Sequence, residues 1–194
     1  MTDNMVMRFA PSPALICILA AWLTLGLATV LRPRPPQARE VRRGRGWAWG
    51  LVLQGLSIAI VWTWRDHEPP SLLVSAVAVL LASSSVAVML ACQRALGRQF
   101  AYQARLVEGH RLITTGPYRY VRNPIYAALF GLALATGLVV TRWQAIPLFA
   151  VLYAAGTVIR IRSEERLLRA GFGPEFDAYA RRVPALIPLP WRKL

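Results

Sequence analysis

Five stretches of helix length, none carrying a charged side chain, constrain this chain more than any other feature. They occupy positions 13–31, 47–64, 71–92, 124–141 and 143–159. A helix needs about 20 apolar residues to cross the hydrocarbon core of a bilayer. Closed barrels aside, lipid admits only helix, because every backbone N–H and C=O must be satisfied internally. The last two runs are slightly short, and arginines at their ends can lengthen them by reaching toward the interface. Hydrophobic residues make up 56% of the 194, which fits an integral membrane protein better than a soluble domain. The expected fold class is therefore all-α. It is a polytopic membrane protein with about five transmembrane helices, read as one domain over 1–194, with three amino-terminal spans within 13–92. Only Arg142 separates the last two runs, so they form a helical hairpin.

The net charge of +14 lies mostly in the connectors. Six Arg fall in 32–46 and six in 93–123, and the tail 160–194 is also basic, whereas 65–70 and 141–142 carry one Arg each. Positive charge stays on the cytoplasmic side. Five spans then put the amino end outside and the carboxyl-terminal helical tail in the cytoplasm. This distribution points to contact with anionic membrane lipids and away from nucleic acid. The segment 1–12 is read as a polar leader and not as a cleaved signal. Trp47, Trp49, Trp62 and Trp64 mark the interfacial ends of the second run. Ser83, Ser84 and Ser85, with Gly131 and Gly137, are expected to let helices approach closely. Pro147 is a candidate kink in the fifth span. Cys17, Cys92 and His67 suggest neither a disulfide framework nor a metal site.

Two polar stretches border the apolar runs. The first, 110–126, reads HRLITTGPYRYVRNPIY. Gly116-Pro117 marks a turn, and Asn123-Pro124 opens the fourth span with backbone N–H groups that favour an anionic group. Its aromatic rings suit a cation or an adenine. The second stretch begins at Arg160, at the end of an uncharged run, where an ionisable residue is a functional candidate. Arg160 and Glu164 share a helix face, as do Arg162 and Arg166, and Glu165 and Arg169. Glycines at 171 and 173 are expected to end that helix, and Pro174 to open a short one reaching about Arg182. The segment 183–190 should lie extended along the surface. Both stretches fall on the same side of the membrane in the expected topology, so they can share one site.

The first motif, followed about forty residues later by EERLLRAGFGPEFDAYARRVPALIP, resembles the isoprenylcysteine carboxyl methyltransferase family, to which phospholipid N-methyltransferases are related. The resemblance covers roughly 97–188 as a cofactor-binding region. It implies S-adenosylmethionine as cofactor, held by Gln103, His110, Arg111, Leu112, Ile113, Tyr118, Asn123, Pro124, Ile125, Tyr126 and Glu164. Arg160 would face a lipophilic acceptor entering from the bilayer. The family most often has His where this chain has Asn123, which cannot carry charge. Phe176 replaces a frequent Tyr.

The chemistry of these side chains agrees with that ligand. Glu164 suits an ammonium or ribose hydroxyls, and the tyrosine rings suit a sulfonium. A carboxylate acceptor, already ionised at neutral pH, needs no general base, and none stands out in 110–126. Transfer to a lipid headgroup is the other acceptor class. No Gly-rich fingerprint follows a strand, which excludes a soluble Rossmann-type enzyme. An NADPH-dependent membrane reductase and a non-enzymatic helical membrane subunit are the competing readings. No metal is expected.

Overall fold

In a computed structural model, the described residues are 12–32, 40–43, 47–66, 68–97, 105–107 and 111–187. The elements in order are α1 (Pro13–Val30), β1 (Glu40–Arg43), α2 (Trp47–Thr63), α3 (Leu72–Leu96), β2 (Arg105–Val107), a 3-10 turn (Gly116–Arg119), α4 (Pro124–Val140), a second 3-10 turn (Trp143–Ala145), α5 (Ile146–Phe172) and α6 (Pro174–Arg182). Each uncharged run is a helix. The helices α1, α3 and α5 with its preceding turn are long and apolar enough to cross a membrane. At 17 residues each, α2 and α4 are shorter apolar helices, spanning about 26 Å at 1.5 Å per residue.

Local chemistry sets the helix ends. The Ser12 hydroxyl accepts from the Leu15 N–H at 3.2 Å, and the Ser71 hydroxyl from that of Val74 at 3.3 Å. Each caps an orphan donor of the first turn. The expected kink at Pro147 does not occur. Pro147 is the second residue of α5, in the first turn, where its missing N–H breaks no helical bond. The fifth run is not short either. Its helix continues unbroken for 27 residues, through Arg160 and Glu164 and past Gly171, until Gly173 caps it at φ 50°. That left-handed conformation costs glycine little.

Helix α4 lies at the centre, since it contributes to both apolar clusters. On one side Ala128, Leu132, Ala135 and Val139 pack with Ile18 and Leu25 of α1 and with Ala78, Ala82 and Met89 of α3. On the other, Ala133 and Val140 pack with Val61 of α2 and with Phe149 and Tyr153 of α5. Outward faces carry exposed Leu23, Val30, Leu51, Leu72, Leu80 and Val151, a distribution that lipid tails solvate and water does not. Of the three serines, only Ser85 is buried, packed against Gly131, while Ser83 and Ser84 are exposed. Gly137 makes ordinary contact, since a Cβ there would sit 3.8 Å from Val61.

The connectors pair at the two ends of the bundle. The Asp66 N–H donates to Val140 C=O at 2.8 Å and the Arg142 N–H to Trp64 C=O at 3.0 Å, so the two short connectors with one Arg each lie together. The two basic connectors meet in a small antiparallel ribbon, with Arg42 opposite Leu106 and Arg43 opposite Arg105. No such ribbon was expected in an all-α fold.

Helices α2 and α5 approach each other closely at a pair of glycines. A Cβ at Gly156 would lie 2.6 Å from the Gly50 carbonyl oxygen, and one at Gly50 would lie 2.5 Å from Arg160 Cγ. Backbone cannot rotate away as a side chain can. Gly156→Ala should therefore destabilise the detergent-solubilised protein by about 1–3 kcal/mol, the usual range for overpacking. Gly55→Ala, with nothing within 4 Å, should be neutral or slightly stabilising. Thermal unfolding of both variants checks this.

Candidate functional site

The first polar stretch turns in beneath the bundle. Gly116, at φ 62°, opens the 3-10 turn, and the Tyr118 N–H closes it onto Thr115 C=O at 3.3 Å. The turn buries Tyr118 to 8% exposure, beside the Cys92 thiol of α3. Burial raises the Tyr118 phenol above its ordinary value. Burial likewise pushes the Tyr179 phenol up to about 12. It therefore stays protonated and donates to the Tyr118 C=O at 2.6 Å. One hydrogen bond thus joins the turn to α6.

The adjacent acids of α5 grip the first motif at separate points. Glu164 accepts from the Tyr126 hydroxyl at 2.9 Å. Glu165 pairs with Arg122, with Nε at 2.9 Å and Nη2 at 3.2 Å, and accepts from Asn123 Nδ2 at 3.1 Å. The two Arg122 contacts form a fork on one carboxylate, the geometry that makes such pairs strong. Arg122 also donates to the carbonyls of Ala180 and Val183. The chain after α6 returns to the same place, with the N–H groups of Arg122 and Asn123 donating to Pro184 and Ala185 C=O at 2.8 and 3.0 Å. The segment 183–187 is non-helical, as expected, and pairs with the first motif. Farther out, Arg169 pairs with Asp177 at 2.7 Å, in place of the same-face contact expected with Glu165.

Arg160 is 8% exposed. Its Nη1 donates to Gln54 Oε1 at 2.7 Å, and its guanidinium carbon sits 5.0 Å from the centroid of the Tyr126 ring. Tyr126 therefore touches Glu164 through its hydroxyl and Arg160 through its ring. Tyr126, Arg160 and Glu164 are in mutual reach through Tyr126, and Asn123 joins the adjacent Glu165, with Tyr118 tied in through α6. Pro124 is fully buried at the start of α4. Ile125 is half-buried and packs against the apolar cluster of α1, α3 and α4. Arg111 is exposed and Leu112 and Ile113 are half-buried, on the segment leading into the Gly116 turn. Gln103 and His110 lie outside the described residues, as does His67.

Gln54, Arg122, Glu165 and Tyr179 were not among the expected site residues. Arg122 and Glu165 each stand beside an expected residue and belong to the motifs, which was a usable signal. Gln54 is a lone amide inside an uncharged run, where an isolated polar residue deserves a partner. Nothing in sequence names that partner. Among the described residues, no group of three or more His, Cys, Asp and Glu could hold a metal ion.

The Arg122–Glu165 pair is about 15% exposed on each side. Exposed pairs contribute about 0.2–1 kcal/mol, and breaking a fully buried one costs roughly 3–5 kcal/mol. Glu165→Gln should fall between, near 2 kcal/mol. It should also speed protease cleavage within the carboxyl-terminal tail, which limited proteolysis reads.

Comparison with known proteins agrees with this geometry. The model of the isoprenylcysteine carboxyl methyltransferase family matches residues 72–170, about half of the chain, and takes in α3, the whole first motif and the start of the second. A protein-S-isoprenylcysteine O-methyltransferase of Schizosaccharomyces pombe is 36% identical over 80 residues, covering 41% of this chain and 34% of that protein. Protein-S-isoprenylcysteine O-methyltransferase B of Arabidopsis thaliana is 32% identical over 94 residues, 47% of this chain and 48% of that protein. The nickel-cobalt-cadmium resistance protein NccN of Alcaligenes xylosoxydans xylosoxydans is 40% identical over 77 residues, 40% of this chain and 36% of that protein. The similarity thus spans between a third and a half of the length of these relatives. With half its length matched by the family model, and with Tyr126 and Glu164 of the two motifs in contact, this chain belongs to the isoprenylcysteine carboxyl methyltransferase family.

Proposed function

We propose that this protein transfers a methyl group from S-adenosylmethionine to a lipophilic acceptor held in the bilayer, with an isoprenylcysteine-type carboxylate as the acceptor group. The observation that carries the reading is the hydrogen bond from Tyr126 to Glu164, since it brings together the two motifs that the family resemblance assigns to the cofactor. The donor set suits that compound. Glu164 is an acceptor for an ammonium or for ribose hydroxyls. The tyrosine rings offer faces to a sulfonium, and the start of α4, where Asn123 supplies no side-chain cap, favours a carboxylate. Asn123 and Pro124 shape that helix start. Gln103, His110, Arg111, Leu112, Ile113 and Ile125 complete the residues assigned to the cofactor by resemblance.

When bound, the sulfonium compound supplies an electrophilic methyl group. The chain's own residues then orient and desolvate. Arg160 holds the acceptor's carboxylate by parallel N–H donors, which needs no proton transfer at neutral pH. The Tyr126 ring against Arg160 and its hydroxyl on Glu164 set the acceptor side and the cofactor side at one residue. Placing two reactants in register supplies much of the rate in such a transfer. The charge distribution of the connectors supports a topology of five spans with this end at the cytoplasmic surface and the amino end outside.

S-adenosylhomocysteine should bind the detergent-purified protein in a calorimetric titration, and NADPH should give no heat. Glu164→Gln should weaken that binding about tenfold to a hundredfold, from the roughly 1.5–3 kcal/mol of a hydrogen bond to a charged group. Undiminished affinity would remove Glu164 from the cofactor site. Arg160→Ala should keep the affinity while lowering methyl transfer to an S-farnesylated cysteine. Unchanged transfer would discard its role toward the acceptor.

A further inference from the structure

Gln54 is 4% exposed in the middle of α2, outside the 72–170 segment that matches the family. An amide buried without partners costs several kcal/mol, and this one is satisfied at both ends. Its Oε1 accepts from Arg160 Nη1 at 2.7 Å, and its Nε2 donates to Thr157 Oγ1 at 2.9 Å. The direction of the amide is forced, because arginine only donates and must face the oxygen. One helical turn earlier, Gly50 leaves the space that the Arg160 stem occupies, since a Cβ there would lie 2.5 Å from Arg160 Cγ. Helix α2 therefore offers Arg160 both a slot, at Gly50, and an oxygen acceptor, at Gln54.

We infer that Gln54 is a positioning residue that sets the Arg160 guanidinium for the anionic group of the methyl acceptor, so that α2 helps to determine acceptor specificity. The inference rests on the function proposed above. The Tyr126 ring covers one face of the guanidinium and the Gln54 oxygen holds one edge. Together they define its plane, and two parallel N–H donors recognise a carboxylate only when that plane is set. A carboxamide does this without bringing in a negative charge. At Arg122 the corresponding acceptor is the Glu165 carboxylate, which orients the arginine and neutralises it as well.

Steady-state kinetics with S-farnesyl-N-acetylcysteine, together with calorimetric binding of S-adenosylhomocysteine, test this on full-length protein carrying Gln54→Leu or Gln54→Glu. Gln54→Leu should raise the acceptor KM about tenfold, with smaller change in kcat and unaltered S-adenosylhomocysteine affinity. Gln54→Glu keeps an oxygen acceptor at the same reach, so its thermal midpoint should stay near that of the parent. Its acceptor KM should nevertheless rise at least as far, because the new carboxylate competes for Arg160. Should Gln54→Leu fail to fold, Gln54→Glu decides alone. An unchanged acceptor KM overturns the inference, as does a fall in S-adenosylhomocysteine affinity that matches the KM change, which would mark Gln54 as merely structural. Parent protein that binds S-adenosylhomocysteine but leaves this carboxylate unmethylated overturns the carboxylate acceptor of the proposed function and the inference with it, whereas an unchanged acceptor KM in variants of an active parent overturns the inference alone. Parent protein that does not bind S-adenosylhomocysteine overturns the proposed function and the inference with it.

Discussion

Glu164 and Glu165 are neighbours on one helix, yet they hold different partners for different purposes. Glu165 takes the Arg122 guanidinium and the Asn123 amide, which fasten the turn before α4 to the end of α5. Glu164 takes the Tyr126 hydroxyl one turn into α4. Successive residues of a helix point about 100° apart, so two adjacent carboxylates can address two levels of the same neighbouring element. Both depend on α5 continuing as helix beyond its apolar half. A break near residue 160 would leave the acids on a loop, and neither contact would have a fixed geometry.

The same continuity explains how a membrane helix delivers charged groups to a defined place. The apolar half of α5 is held by Phe149 and Tyr153 against α2 and α4, and the close crossing at Gly50 and Gly156 sets its distance from α2. Position along the helix then fixes where Arg160 and Glu164 emerge. The tail closes the arrangement from the other side, through Tyr179 on the Tyr118 carbonyl and through 184–185 on the backbone of 122–123. Most of these bonds use backbone carbonyls and N–H groups, which hold a segment in place regardless of which side chain it carries.

Much of the architecture was legible before any coordinates. Uncharged runs of helix length have one stable form in lipid, so the five helices followed, as did Pro13 and Pro124 at their starts and Gly173 at an end. Pro147 misled because it was judged by residue type, whereas its effect depends on where the helix begins. Proline in a first turn breaks nothing. Ser83 and Ser84 were credited with packing that only Ser85 performs, because three consecutive positions cannot all face one partner. The ribbon joining the basic connectors had no sequence signal, since its strands are three and four residues long. At the site, the family resemblance named Tyr126, Asn123 and Glu164, and the first and last of these are in contact. Gln54 was invisible because its meaning lies in α2 meeting α5 at one glycine crossing, a tertiary fact that no local pattern encodes.

The central claim is that residues 118–126 and the emergent end of α5 enclose one small ligand between them. An experimental structure of the protein with S-adenosylhomocysteine tests it most directly. The account predicts ligand density in hydrogen-bonding contact with Glu164 and against the Tyr126 and Tyr118 rings, at the end of the bundle that carries the tail. Density at the opposite end of the bundle, or contacting one of the two stretches while leaving the other untouched, would contradict it.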